Sequence, residues 1–284
     1  MGQAVPRIHR VKVTGAHLHY ELRGSGPLLL LLGAPMDATG FEALSSALAG
    51  AFTVVTSDPR GIGRSTCDDP KQDANPDVLA DDAYQLLSIV GTDVGTDVGT
   101  EPAYVFGSSG GAVVALALAA RHPEKVRALI AHEPPLVELL PNAAQLRAQI
   151  DDLCEAYRRE GPGAAWQRFF ALTGLGARPD RSTDEWLEEA PPPPSRNDDE
   201  YFFAHMLRPL TRYVPDVTRL RNVSHPIIVG GGSDSSGQLP RRTAEALAAA
   251  LDQPLVDFPG GHAGFAEHPQ ACADGLRRTL ASRT

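Results

Sequence analysis

One serine among glycines offers the most reactive chemistry in this chain. The run Val105-Phe106-Gly107-Ser108-Ser109-Gly110-Gly111 reads as a strand end, a tight turn and the start of the small-residue helix Ala112–Ala120. It fits the pattern G-x-S-x-G, with Ser109 at the central position and Ser108 as the intervening residue. Such a turn lifts a serine out of the backbone and exposes its hydroxyl. Gly107 and Gly111 remove side chains that would clash where strand and helix cross. A serine hydroxyl is a poor nucleophile near neutral pH, so it needs a base, and the base needs an orienting group. His262, in Pro259-Gly260-Gly261-His262-Ala263-Gly264-Phe265, is the candidate base. Asp234, in Gly230-Gly231-Gly232-Ser233-Asp234, is the candidate orienting acid, and Glu133 is the alternative. Attack on a carbonyl also needs N–H donors for the oxyanion. Gly110, next after Ser109, and Ala34, in Gly33-Ala34-Pro35-Met36, are the candidates, because Pro35 has no N–H to give.

These residues are useful only if strand ends carry them to one place. Val11–Val13 and Leu18–Leu22 alternate about Thr14-Gly15-Ala16 and predict an antiparallel hairpin. Leu28–Leu32 and Phe52–Ser57 read as strands buried on both faces. Helices are expected over Asp37–Leu48 and Asp77–Val90, and a further strand over Val126–Ala131. Strands thus alternate with helices, which implies a parallel sheet with right-handed crossovers. The alternation stops between Pro134 and Asn222, where helical stretches are expected at Ala143–Arg159, Gly163–Leu172, Asp184–Glu189 and Asp198–Leu210, with Pro191–Pro194 as a stiff polyproline segment. It resumes with the strands Ile227–Val229 and Leu255–Phe258 and the helices Arg241–Leu251 and Pro269–Leu280. The expected architecture is therefore a core of residues 1–133 and 223–284, interrupted by a helical cap at 134–222 over the ligand-binding edge of the sheet. The duplicated run Gly91–Thr100 reads as a flexible surface extension, and its aspartates lack the spacing of a calcium loop.

Composition narrows the partners. A net charge of −9 over 284 residues, with no basic stripe, argues against nucleic acid. Three widely spaced cysteines form no metal or disulfide pattern and fit a reducing cytoplasm. Met1–Arg10 has no apolar signal core, and Leu28–Leu32 is too short to span a membrane. Neither a metal nor a cofactor is expected. A small-molecule substrate is expected, and a monomer or homodimer.

With these motifs placed, the chain resembles the α/β-hydrolase superfamily over nearly its whole length. Gly107–Gly111 is similar to the nucleophile elbow, and Asp58-Pro59-Arg60-Gly61-Ile62-Gly63-Arg64-Ser65 to the D-x-R-G-x-G-x-S loop of the esterase, epoxide-hydrolase and haloperoxidase-like branches. Gly260–Phe265 is similar to the catalytic-histidine loop, and Ser109, Asp234 and His262 stand in the family's triad order. Leu32-Gly33 stands where the family usually has His-Gly. A serine nucleophile argues against epoxide-hydrolase and dehalogenase chemistry.

The resemblance implies the α/β-hydrolase fold and a cofactor-independent serine hydrolase acting on an ester or lactone through an acyl-enzyme. Trp166, Phe170 and Met206 of the cap are the expected substrate contacts, among a wider apolar set with Phe169, Trp186, Tyr201, Phe202 and Phe203, about half of which is expected to pack the cap onto the core. The same scaffold also supports carbon–carbon bond hydrolysis, a lyase or cyclase, perhydrolysis, or a silent ligand-binding protein.

Overall fold

The opening hairpin forms as expected. β1 (Arg7–Val13) and β2 (Ala16–Arg23) pair antiparallel through the turn at Gly15. The computed structural model describes residues 5–93, 101–175 and 196–282. β3 (Leu28–Leu32) is five leucines, all buried, as a strand with helices on both faces requires. Then come β4 (Thr53–Ser57), the short β5 (Thr66–Cys67), β6 (Ala103–Ser108), β7 (Val126–His132), β8 (Ile227–Gly232) and β9 (Val256–Phe258). The sheet has nine strands in the order β1-β2-β4-β3-β6-β7-β8-β9, with β5 paired to β2. From β4 to β9 every pair is parallel. All their C-terminal ends therefore reach one edge, where loops from distant parts of the chain converge.

Helices cover both faces. On one face, α1 (Glu42–Leu48) packs with the C-terminal helix Pro269–Ala281 around Leu44, Leu48, Phe106 and Leu276. On the other, α2 (Pro76–Asp93) lies against α3 (Gly110–Arg121), whose Gly110–Ala120 are all buried. Such complete burial explains why α3 is built from Gly, Ala, Val and Leu, since nothing larger fits between α2 and the sheet. α2 runs three residues into the duplicated Gly91–Thr100 segment, and residues 94–100 lie outside the described residues.

Between β7 and β8 the described residues form no strand. They form α4 (Ala143–Glu160), α5 (Pro162–Thr173) and shorter helices at Arg196–Tyr201, Leu207–Thr211 and Val217–Asn222. The expected single helix Asp198–Leu210 is broken by one π-helical stretch, Phe202–Met206. The expected helix Asp184–Glu189 and the run Pro191–Pro194 lie outside the described residues.

The helical segment is tied to the sheet edge. Gly63 N–H donates to Asp198 Oδ1 at 2.9 Å, and Ala74 N–H to the His205 carbonyl at 2.8 Å. The 58–65 loop itself is built around Asp58, which is fully buried. Its carboxylate accepts from Ala38 N–H at 2.9 Å and from Arg64 at N, Nε and Nη2. Burial alone would raise its pKa, but the Arg64 and backbone donors hold it below the ordinary carboxylate range. Asp58 thereby joins this loop to the 33–38 loop that follows β3.

Candidate active site

Ser109 stands between the end of β6 and the first turn of α3. Its φ of 55° is a conformation that L-residues avoid, as a strained strand-to-helix turn demands. The turn is held from below, because Ser109 N–H donates to the His132 carbonyl at 2.9 Å. Two glycines make the crossing possible. A Cβ on Gly107 would come within 2.5 Å of the Gly111 carbonyl oxygen, and one on Gly111 would strike the Leu32 carbonyl oxygen.

His262 lies in the loop between β9 and the helix Gly264–Glu267. Gly232, at the end of β8, lies directly beneath that loop, since a Cβ there would come within 2.6 Å of the Gly261 carbonyl oxygen. His262 Nδ1 donates to Glu133 Oε2 at 2.6 Å. The other oxygen, Glu133 Oε1, accepts from Gly232 N–H at 2.8 Å. Glu133 is fully buried. Burial alone would raise its pKa, but the His262 hydrogen bond and charge, with Gly232 N–H, hold it down to about 2. An ionised Glu133 on Nδ1 leaves Nε2 as the nitrogen that can accept a proton.

The acid expected from the sequence is therefore displaced. Asp234 is exposed, and its carboxylate accepts from the neighbouring Ser233 hydroxyl at 2.9 Å. Its backbone N–H donates to the Gly260 carbonyl at 3.0 Å, so Asp234 braces the histidine loop from outside. Glu133 takes the inner place because β7 and β8 are parallel neighbours. Glu133 N–H donates to the Gly230 carbonyl, extending the ladder one step beyond His132. A φ of 49° accompanies that step. The sequence signal was an acid immediately after the strand beside the elbow strand.

His132, one residue earlier, is buried behind the elbow. Its Nδ1 meets the Ser108 hydroxyl at 3.2 Å, and its ring lies 6.2 Å from that of His262. Burial pushes its pKa down to about 4, so it remains a neutral neighbour of the base.

Ala34 and Gly110 are in contact, since a Cβ on Gly110 would come within 2.6 Å of the Ala34 carbonyl oxygen. Gly110 N–H belongs to the first turn of α3, where helix donors have no partner within the helix. Ala34, Ser109, Gly110 and His262 line one cavity, with about 620 Å³ of open space counted out through its mouth. Among the described residues no hydrogen bond joins the Ser109 hydroxyl to the imidazole; they meet as walls of this cavity. Such bonds are commonly long before substrate arrives. Among the described residues no group of three or more His, Cys, Asp or Glu side chains is arranged to hold a metal.

A family model described as the alpha/beta hydrolase family matches residues 28–275. The chain belongs to the alpha/beta hydrolase family. The uncharacterized hydrolase YraK of Bacillus subtilis (strain 168) is 34% identical over 277 residues, covering 95% of this chain and 94% of that protein. A thermophilic esterase from Thermogutta terrifontis superposes with a TM-score of 0.73 at 24% identity, over 100% of both chains. The enol-lactonase from Burkholderia xenovorans LB400 superposes with a TM-score of 0.70 at 18% identity, over 96% of this chain and 100% of that one. At these identities the two structures attest the alpha/beta hydrolase fold.

The aromatic and apolar residues of the helical segment divide between those that line the cavity and those that stand behind it. Phe169 and Phe202 line the cavity, with Leu207 and Leu210 beside them. Trp166, Phe170 and Met206 do not. Trp166 lies behind the wall, stacked on Phe202 at 5.5 Å and edge-on to Phe169 at 5.3 Å. Its indole N–H donates to Asp199 Oδ1 at 2.9 Å. Phe170 stacks on the tryptophan at 5.7 Å. Met206 is fully buried in the core. Helical spacing alone does not distinguish the residue that meets a ligand from the one that supports it.

Proposed function

We propose that this hydrolase of the alpha/beta hydrolase family is a cofactor-independent serine hydrolase that cleaves a carboxylic ester or lactone of a small to medium apolar substrate. The observation that carries the reading is the pairing of His262, which lines the same cavity as Ser109 on its strained turn, with the buried, ionised Glu133 behind it. The esterase and enol-lactonase activities named for two structural neighbours fit the same chemistry.

In the proposed mechanism His262 Nε2 takes the Ser109 proton as Oγ attacks the substrate carbonyl. Glu133 holds the imidazole in the required tautomer and stabilises the imidazolium that forms. The N–H groups of Gly110 and Ala34 hold the oxyanion. Collapse of the tetrahedral intermediate breaks the carbonyl–oxygen bond, and His262 returns its proton to the leaving alcohol. Water, deprotonated by the same histidine, then releases the acid and restores Ser109.

The helices of residues 134–222 act as a cap that shapes the substrate cavity. Among the described residues no helix is long and apolar enough to cross a membrane. The cytoplasm is the proposed compartment, consistent with free Cys67, Cys154 and Cys272.

Intact-mass analysis after treatment with a small fluorophosphonate tests the reading. Wild type and Ser108→Ala should each gain one adduct, and Ser109→Ala none. A folded wild type that stays unlabelled would overturn acyl-enzyme chemistry and favour proton-transfer chemistry on this scaffold.

A further inference from the structure

The described wall of the cavity beside Ser109 is almost wholly apolar. Its described lining carries no Asp, Glu, Lys or Arg side chain. Besides Ser109 and His262, its only polar side chains are Thr173 and Thr211. Both hydroxyls donate back into their own helices, Thr173 to the Phe169 carbonyl at 2.8 Å and Thr211 to the Leu207 carbonyl at 2.7 Å. They retain lone pairs for the cavity and have no proton for it.

Two described arginines next to the lining in sequence are engaged elsewhere. Arg208 and Arg212 flank the lining residues Leu207, Leu210 and Thr211 in sequence. Arg208 Nε and Arg212 Nη2 both donate to Asp151 Oδ1 at 2.7 Å. Among the described lining residues, a carboxylate placed in the cavity would lose its water and find no counter-charge and no side-chain donor beyond the reacting groups. That situation strongly disfavours an ion.

The apolar wall is also braced. Phe169 and Phe202 are its aromatic members, and Trp166 contacts both from behind while Asp199 holds the indole N–H. Aromatic rings packed in stacked and edge-on pairs keep a defined surface rather than a deformable one.

We propose that this cavity takes an uncharged, apolar acyl chain whose length is set by the Phe169–Phe202 wall, and that it rejects substrates carrying a carboxylate at the far end of that chain. The substrate class rests on the serine-hydrolase reading, but its test does not depend on turnover alone.

Two matched comparisons test it. In the first, ethyl hexanoate and monoethyl adipate share a six-carbon acyl chain and differ by a terminal carboxylate, while diethyl adipate restores neutrality. The expected kcat/KM for monoethyl adipate is lower than for ethyl hexanoate by about 10²-fold or more, with diethyl adipate recovering most of the difference. Phe169→Ala should move the best acyl chain to longer esters and Phe169→Trp to shorter ones. The second comparison needs no catalysis: calorimetric titration with hexanamide and with its carboxylate-terminated analogue, adipamate. Hexanamide should bind and adipamate should not bind detectably. Monoethyl adipate turned over as well as ethyl hexanoate, or adipamate bound as well as hexanamide, would overturn the proposal. So would identical chain-length profiles in wild type and both Phe169 variants. Failure of fluorophosphonate labelling would overturn the serine-hydrolase reading alone, because the amide titration still reports on the cavity.

Discussion

Glu133 Oε2 accepts a 2.6 Å hydrogen bond from His262 Nδ1, while Asp234, the acid placed there by chain order, is turned to the neighbouring Ser233 hydroxyl. The two carboxylates follow adjacent parallel strands, so either could have reached the histidine. The buried one did, and the Gly232 N–H holds its second oxygen.

The first prediction separates the two acids. Glu133→Gln keeps the shape but offers an amide to Nδ1, so kcat should fall by roughly 10²–10⁴-fold with little change in KM. Asp234→Asn changes an exposed group and should leave kcat within about threefold of wild type. Steady-state kinetics on a p-nitrophenyl ester measures both. The reverse order of effects would return the orienting role to Asp234.

Acid stability should decline in two stages. His132 is pushed by burial from 6.5 to about 4, so the unfolded chain takes up a proton that the folded chain refuses. That contribution is complete above pH 6.5 and is lost as pH falls toward 4. Despite burial, which opposes ionisation, Glu133 is held down from 4.5 to about 2 by His262 and Gly232. Its contribution is complete above pH 4.5 and is lost as pH falls toward 2. Urea unfolding across this range should show His132→Gln flattening the upper stage and Glu133→Gln the lower one. Three parallel curves would contradict both assignments.

Glycine position should decide between collapse and tolerance. In Gly111→Ala the new Cβ strikes the Leu32 carbonyl, a backbone atom that cannot swing away, so destabilisation of about 3 kcal/mol or more is expected. In Gly163→Ala the Cβ meets open space on α5, and a gain of up to about 1 kcal/mol is expected. Denaturant midpoints of the two variants check the contrast.

Trp166→Phe tests the brace behind the cavity. It keeps an aromatic ring but removes the donor to Asp199, which is buried and whose pKa burial raises above the ordinary carboxylate value. A loss of about 1–3 kcal/mol is expected, the usual result of leaving a buried acceptor unsatisfied. Urea denaturation at neutral pH would show an unchanged midpoint if the bond contributes nothing.

Local pattern made much of the architecture legible. Five consecutive leucines cannot be half-exposed, and β3 is buried throughout. The absence of strand patterns after Glu133 marked the helical segment between β7 and β8. The π-helical stretch at Phe202–Met206 had no such signal; within it Phe202 and Phe203 both pack against Trp166, a contact that residue spacing does not encode. The same packing explains why Trp166 supports the cavity wall while Phe169, three residues on, lines it.

The sequence by itself determined the elbow at Ser109, the histidine loop and the parallel sheet, because each rests on short-range constraints of glycine, strand burial and crossover length. Only the tertiary structure decided which acid meets His262. That depends on strand adjacency, the 49° φ at Glu133 and the direction of the Gly232 N–H, none of which is encoded in residue spacing. It likewise decided that Arg208 and Arg212 turn to Asp151, leaving the cavity's described lining without a charge.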